Sequence, residues 1–336
     1  MATIRDVAKE CGVSVTTVSS ALNNSSRPVH SETRRRVSEA ARRLNYHPSA
    51  TARGLVKRRM NTLGVLFASV EEAIVTNSYA TGILGGVFAE SAAQGHDIHL
   101  FTNPWRGEES APRFQNSQAD GVLLIVPTIG SDMVSALRRF NVPMVVVSSP
   151  TTVAGVSFVD VDNAHGARMA AEHLLSLGHK RIAHLMGDTA QHSVLERRDA
   201  FVSTLKRGGV TVPPGCLVGD SFAAPDVNNA VQMLLSVTEP PTAVFCSNDD
   251  LAFALIRAVQ GRGISVPEEL SVIGFDDAPF AKQSHPPLTT IGQPLWEIGR
   301  KATQLLLARI GDEAITDERH LFAPTLIVRE TTASPK

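Results

Sequence analysis

Apolar residues near the amino terminus recur three and four positions apart: Ile4, Val7, Ala8 and Cys11, then Val18, Ala21 and Leu22, then Val37, Ala40, Ala41 and Leu44. That spacing predicts three short amphipathic helices. Thr3 is placed to cap the first, and Gly12 supplies the backbone freedom to end it. A turn at Gly12 and Val13 leads to Ser14, which caps a second helix from Val15 to about Leu22. The third opens near Ser31 and runs through Thr33 to Leu44. The first two helices and their turn spell a helix-turn-helix. The second turns Val15, Thr16, Ser19 and Ser20 outward, and the third does the same with Arg34, Arg35, Arg42 and Arg43. After Tyr46, residues 48–55 read as one further short helix with Ser49 as its cap, followed by Lys57, Arg58 and Arg59. It is too short to be stable alone, and Gly54 weakens it by about 1 kcal/mol relative to alanine.

From Leu63 the period changes. Short apolar runs (Leu63 to Phe67, Ile98 to Phe101, Gly121 to Val126, Met144 to Val147) alternate with helical stretches (Tyr79 to Gln94, Asp132 to Phe140). A second set follows Asp162 and Asn163: helices from Ala164, Arg197, Val227 and Leu251, and strands at Ile182 to Met186, Cys216 to Val218, Ala243 to Cys246 and Ser271 to Phe275. Strand, helix, strand repeated in this way predicts parallel sheets flanked by helices, here in two similar lobes. Ligands of open α/β sheets sit beyond the carboxyl ends of the strands, so two facing lobes would enclose a cleft. Asn248 and Asp249 follow one strand and Asp276 and Asp277 another. Arg197 opens a helix and offers a planar fork of donors to hydroxyls or a carboxylate, and Ser78 and Tyr79 open the first helix of the first lobe.

Charge divides the 336 residues in the same place. The first sixty hold twelve Lys and Arg against four Asp and Glu, a charge of +8, and the remainder carries -9. Such asymmetry predicts a polyanion as partner of the amino-terminal part, and the helix-turn-helix makes that polyanion duplex DNA. A short helix, about 13 Å long, fits the major groove, where Val15 would meet a thymine methyl and Thr16 a base edge through its hydroxyl. The arginines of the third helix and Lys57 to Arg59 would neutralise phosphates.

Three dispersed cysteines, Cys11, Cys216 and Cys246, predict neither a disulfide framework nor a metal site and fit a reducing cytosol. Residues 1–20 lack the apolar block of a secretory signal, and no stretch reaches membrane-spanning length. The expectation is a cytoplasmic, nucleoid-associated protein with no membrane partner. No nucleophile-elbow or phosphate-loop pattern is present. Gly82, Gly85 and Gly86 lie inside a helical stretch, and His179, His184 and His192 fall on different elements. No enzyme activity, catalytic residue, metal or cofactor is expected.

The segment ATIRDVAKECGVSVTTVSSALN, followed by VHSETRRRVSEAARRLNYHPSATARGL, resembles the DNA-binding head of the lactose-repressor (LacI) family of bacterial transcription factors. GFDD, LTTIGQP and LIVRET resemble recurrent segments of the same family, so the likeness spans the chain. It implies base contacts by Val15, Thr16 and Ser20, backbone contacts by Ser14, Ser19, Asn23, Thr33 and Tyr46, and minor-groove entry by Ala52 and Leu55. Leu55 would wedge between base steps from paired hinge helices. Ser20 stands where many relatives carry arginine, which leaves the operator sequence open. The likeness also implies effector contacts by Ser78, Tyr79, Arg197, Asn248, Asp249, Asp276 and Asp277. Ser148 stands where sugar-binding members often carry aspartate, and Ser221 where an aromatic often stacks on the ligand, with Phe222 one residue later.

The expected fold is α/β: a helix-turn-helix headpiece (1–47) and hinge helix with linker (48–60), joined to a two-lobed periplasmic-binding-protein-like body with parallel sheets (61–336). Lobe one would take about 61–161 and 292–322, and lobe two about 162–291 and 323–336. The expected function is a dimeric repressor reading near-palindromic operator DNA under control of a small molecule, a sugar first, with a nucleobase or small acid behind it. An effector-independent repressor with a degenerate pocket and a solute-binding receptor remain the alternatives. The carboxyl terminus carries no heptad tail, so a tetramer is not expected.

Overall fold

A computed structural model describes residues 2–22, 28–47, 59–68, 76–116, 118–222, 224–311 and 318–336. The chain forms two compact units, Met1–Thr62 with Ser117–Asp120, and Leu63–Asn116 with Gly121–Lys336.

In the first unit, helices α1 (Ile4–Cys11), α2 (Val15–Leu22) and α3 (Ser31–Arg43) enclose a small core of Val7, Ala8, Cys11, Val18, Ala21, Val37, Ala40 and Ala41. The signals anticipated at the helix ends are used. The Thr3 backbone and hydroxyl both donate to Asp6 Oδ2 at 2.8 Å. Gly12 ends α1 at φ 61°, a conformation that costs glycine nothing. Ser14 Oγ accepts from the Thr17 N–H at 3.1 Å and so caps α2. The expected hinge helix at 48–55 lies outside the described residues, as do Asn23, Ala52 and Leu55.

The second unit holds two six-stranded sheets. The first has the order β11-β5-β4-β3-β1-β2: β1 (Thr62–Phe67), β2 (Asp97–Phe101), β3 (Gly121–Ile125), β4 (Met144–Val147), β5 (Ser157–Val161) and β11 (Arg319–Phe322). The second has the order β12-β10-β9-β8-β6-β7: β6 (Ile182–Leu185), β7 (Leu217–Val218), β8 (Ala243–Cys246), β9 (Ser271–Asp276), β10 (Thr289–Gly292) and β12 (Thr325–Ile327). The registered pairs are parallel except β10 with β12. β3, β4 and β5 are buried along their whole lengths, as parallel strands covered on both faces must be. The chain passes between the sheets after β5, β10 and β11.

Helices α4 (Ser78–Ala93), α5 (Met133–Arg139) and α10 (Leu295–Ile310) serve the first sheet. Helices α6 (Asn163–Ser176), α7 (His192–Arg207), α8 (Ala224–Ser236) and α9 (Asp249–Gln260) serve the second. The glycines of α4 have a packing role. A Cβ on Gly86 would lie 1.9 Å from the Trp296 carbonyl oxygen, and one on Gly299 would lie 2.2 Å from that of Ile83, so α4 and α10 touch backbone to backbone. Two boundaries differ from expectation. The helix expected to open at Arg197 starts at His192, which puts Arg197 in its second turn. β5 escaped the apolar-run reading because Ser157 and Asp160 interrupt it, although both are buried. No helix among the described residues is long and apolar enough to cross a membrane.

Candidate functional site

In the headpiece, Ser14, Val15 and Thr16 are exposed together at the start of α2, with Val15 41% exposed for an apolar side chain. Ser19, Thr33 and Tyr46 are half-buried, and Tyr46 packs on the headpiece core. Ser20 departs from the outward-facing expectation. Although it lies one turn beyond Thr16, it is only 6% exposed. The last turn of α2 is a packed end, where Arg34 reaches from α3 to donate to the Ala21 carbonyl at 2.7 Å. The arginine face of α3 is likewise not wholly free for phosphates. Arg36 donates to the Cys11 carbonyl at 2.6 Å, Arg35 pairs with Glu32 and Glu39, and Arg43 pairs with Glu10. Arg42 is exposed and, among the described residues, forms no ion pair.

In the second unit, a cavity partly open to solvent lies at the carboxyl ends of strands from both sheets. Phe67 at the end of β1, Ser148 after β4 and Asp160 within β5 line it from the first sheet. Phe222 after β7, Asn248 after β8 and Asp276 at the end of β9 line it from the second, with Arg197 of α7 between them. Val126, Ser148 and Asp276 hold positive φ angles of 49°, 56° and 134°. Backbone strain of this kind gathers at ligand clamps, where surrounding contacts over-determine the conformation.

Of the expected effector residues, Tyr79, Ser148, Arg197, Asn248 and Asp276 line this cavity, whereas Ser78, Ser221, Asp249 and Asp277 do not. Asn77 lines it in place of Ser78, one residue before the helix, where its side chain also caps α4 through the Ala80 N–H at 2.9 Å. Phe222 lines it in place of Ser221, its ring pressed on Gly187, where a Cβ would lie 2.1 Å away. Asn248 caps α9 by accepting from the Leu251 N–H at 2.8 Å. Asp249 is structural: its two oxygens accept from Thr290 Oγ1 at 2.6 Å and from the Ala278 N–H at 2.7 Å. Asp277 pairs with Arg329.

The side chains around Arg197 are extensively hydrogen-bonded. The Tyr79 hydroxyl bonds to Ser148 Oγ. Asp160 accepts from the Val161 N–H at 2.7 Å and from Asn163 Nδ2 at 3.2 Å. Arg197 Nε donates to Asn163 Oδ1 at 2.9 Å and Nη1 to the Ser247 carbonyl at 2.5 Å, while its plane lies 3.6 Å over the Phe275 ring. Beneath it, His184 Nε2 bonds to Ser247 Oγ at 3.0 Å. Gln293 donates to Asp276 Oδ1 at 2.6 Å. Burial governs the ionisation of these groups. It pushes the Asp160 carboxyl up to about 7, against the pull of Val161 and Arg197. It also drives Asp276 well above the usual carboxylate range, with Asp249 adding to the rise. Burial, then the charge of Arg197, holds His184 down at about 3, so its ring is neutral.

Asp160, Asn77, Gln191 and Ser193 line the cavity without having been singled out in the sequence. The signal for Asp160 is a lone carboxylate between the apolar residues of SFVDV, two residues before Asp162, which caps α6. Gln191 and Ser193 flank the true start of α7.

The model for bacterial regulatory proteins of the lacI family matches residues 3–49, and that for a periplasmic binding protein-like domain matches 171–332. The HTH-type transcriptional repressor PurR of Haemophilus influenzae (strain PittEE) is 32% identical over 341 residues, which cover 99% of this chain and 99% of the relative. The solved structure of the lac repressor dimer bound to operator and the anti-inducer ONPF aligns with a TM-score of 0.83 at 26% identity, covering 99% of each chain. That of the transcriptional regulator CelR in complex with cellobiose aligns with a TM-score of 0.76 at 29% identity, covering 98% of this chain and 100% of the other. With a full-length relative above 30% identity and its headpiece matched by the family model, the chain belongs to the lacI family of bacterial regulatory proteins.

Proposed function

We propose that this regulator is a homodimeric repressor that binds near-palindromic operator DNA and is switched by a sugar held in the body. Residues 1–47 would read the operator, 48–60 form the hinge and linker, and 61–336 carry effector binding and dimerisation, with lobes at about 61–161 and 292–322 and at about 162–291 and 323–336. Ser14, Val15, Thr16, Ser19, Ser20, Asn23, Thr33 and Tyr46 would serve the headpiece contact, and Ala52 and Leu55 the minor groove. Val15 and Thr16 head the base readers, and the burial of Ser20 leaves it a lesser part. Tyr79, Ser148, Arg197, Asn248 and Asp276 would hold the effector; Phe222 takes the contact expected of Ser221, and Asn77 that of Ser78. The protein would act in the cytoplasm on the nucleoid, with no catalysis, cofactor or membrane partner.

The observation that carries this reading is the cavity: a buried arginine, acids and an aromatic ring at the strand ends, in a chain that also presents exposed Val15 and Thr16 at the start of a capped helix. The operator-bound dimer and the cellobiose complex among its relatives support the two halves of the proposal. A pocket with this much polar organisation argues against a degenerate one. The test is an unbiased oligonucleotide selection with the purified chain, followed by gel-shift titration with and without sugars that raise its melting temperature. A preferred palindrome whose affinity changes with one sugar is expected. A selection without consensus rejects the regulator, and a consensus that no compound modulates rejects the switch.

A further inference from the structure

Resting on the reading of the chain as an operator-binding regulator, we propose that Asp120 is a positioning residue for DNA binding: before any DNA is met, it fixes the backbone of residues 60–62, through which the headpiece is joined to the body. The Met60 N–H donates to Asp120 Oδ1 at 2.6 Å and the Thr62 N–H to Oδ2 at 3.3 Å. The Asp120 N–H in turn donates to the Thr62 carbonyl at 2.8 Å. Between the two held amides, Asn61 takes a φ of 50°, in the left-handed region that asparagine tolerates better than most side chains. Asn61 is exposed and Met60 and Thr62 are half-buried, so these three bonds, more than core packing, set the turn. The carboxylate offers one acceptor oxygen to each amide. An asparagine at 120 would keep one acceptor and an alanine none.

The turn lies at the amino ends of β1 and β3, which run side by side in register from Leu63 with Gly121 to Phe67 with Ile125. At their carboxyl ends Phe67, Ile125 and Val126 line the cavity. The held turn and the cavity wall are thus opposite ends of one strand pair, about 13 Å apart at roughly 3.3 Å per residue. β3 is buried along its whole length and β1 from Leu63 onward, so the pair is a firm base for the turn. One stretch of chain joins headpiece to body, and it passes through residues 60–62. A turn held in advance spares DNA binding the entropy of ordering it. Operator binding gains from this, because it needs both headpieces of the dimer in fixed positions. Non-specific binding rests on charge and asks for no fixed geometry.

The experiment compares the full-length parent with Asp120→Asn and Asp120→Ala. Gel-shift titrations use the operator obtained by oligonucleotide selection and a random duplex of the same length, and hydrogen exchange follows the Met60 and Thr62 amides. Asp120→Ala is expected to weaken operator binding by about tenfold or more, the fold-change of ordering one backbone residue, and to leave random-duplex binding within about threefold at the parental melting temperature. Asp120→Asn, with one acceptor, should fall between, and the two amides should exchange faster in the same order. Operator affinity that is equal in the parent and Asp120→Ala overturns the inference while leaving the regulator in place. Amides that exchange as fast in the parent as in Asp120→Ala overturn it independently of DNA. If Asp120→Ala melts several degrees lower, Asn61→Val decides, since it leaves Asp120 intact and disfavours only the left-handed turn: a lost preference for operator over random duplex at the parental melting temperature upholds the inference, and a parental preference overturns it. A parent that selects no operator overturns the regulator reading itself.

Discussion

Phe222 and Ser221 are neighbours with different tasks. The Phe222 ring forms a wall of the cavity against Gly187, whereas the Ser221 side chain lies outside the lining. Truncating such a ring forfeits roughly 1.5–3 kcal/mol of apolar contact, about ten- to a hundredfold in affinity. Phe222→Ala is therefore expected to weaken the effector by that factor in isothermal titration, with Ser221→Ala within about threefold of the parent; the reverse order would return the contact to Ser221. Asp160 makes a second prediction. Its carboxyl is raised to about 7 by burial, from an unfolded value of about 4. The folded state thus holds this proton more tightly than the unfolded one. The stability tied to it is fully present below about pH 4 and is lost as pH climbs through about 7. Asp160→Asn cannot ionise, so its melting temperature should gain on the parent by a few degrees between pH 4.5 and pH 7.5. Asp249 and Asp276, whose carboxyls are also raised by burial, are present in both proteins and cancel from the comparison. A difference that is flat with pH would mean that Asp160 is not strained by its charge.

At the scale of elements, the contact of α4 with α10 is set by glycines that differ in what surrounds them. Gly299 faces the Ile83 carbonyl at 2.2 Å from an added Cβ, whereas the nearest atom to one on Gly85 is Trp296 Cδ1 at 3.5 Å. Gly299→Ala must push two helix backbones apart, an overpacking that costs about 1–3 kcal/mol. Gly85→Ala meets ordinary contact and gains about 0.4–1 kcal/mol from a less flexible unfolded chain. Urea midpoints should fall for the first and hold or rise for the second; equal losses would place the packing constraint elsewhere. No sequence pattern separates these two glycines, because the distinction lies in a partner helix some two hundred residues away. The headpiece was legible for the opposite reason. Thr3, Gly12 and Ser14 bond to groups within three or four residues, so local chemistry suffices. The cavity was legible where a polar residue directly follows a buried strand, as Ser148 does after Met144–Val147. It was misread where the flanking element is short or displaced. β7 has only two residues, which left Ser221 and Phe222 without a register, and the five residues of α7 before Arg197 carry little apolar periodicity. Ser20 was misread because helical spacing predicts direction but not how the helices pack at the end of α2, where Arg34 of α3 reaches the Ala21 carbonyl.

For the whole molecule, the +8 of the first sixty residues against -9 for the rest overstates the charge available to DNA. Arg35 and Arg43 are shared with acids, and Arg34 and Arg36 are spent on carbonyls inside the headpiece. Salt dependence measures what is left, since each phosphate neutralised contributes about -0.9 to the slope of log affinity on log salt. A dimer placing two or more phosphate contacts per headpiece should lose at least about a hundredfold in operator affinity between roughly 50 and 200 mM salt. The individual arginines then separate. Arg42→Ala removes an exposed charge with no ion pair among the described residues, and should flatten the slope by about one per subunit in contact with little change in melting temperature. Arg36→Ala instead orphans the Cys11 carbonyl between α1 and α3, a loss of about 1–3 kcal/mol. It should therefore lower the thermal stability of the headpiece and weaken operator and random DNA together. If Arg36→Ala flattened the salt slope at unchanged stability while Arg42→Ala left it steep, the division of the α3 arginines into staples and phosphate contacts would be reversed. The polyanion-binding charge would then have to come from residues other than the exposed face of that helix.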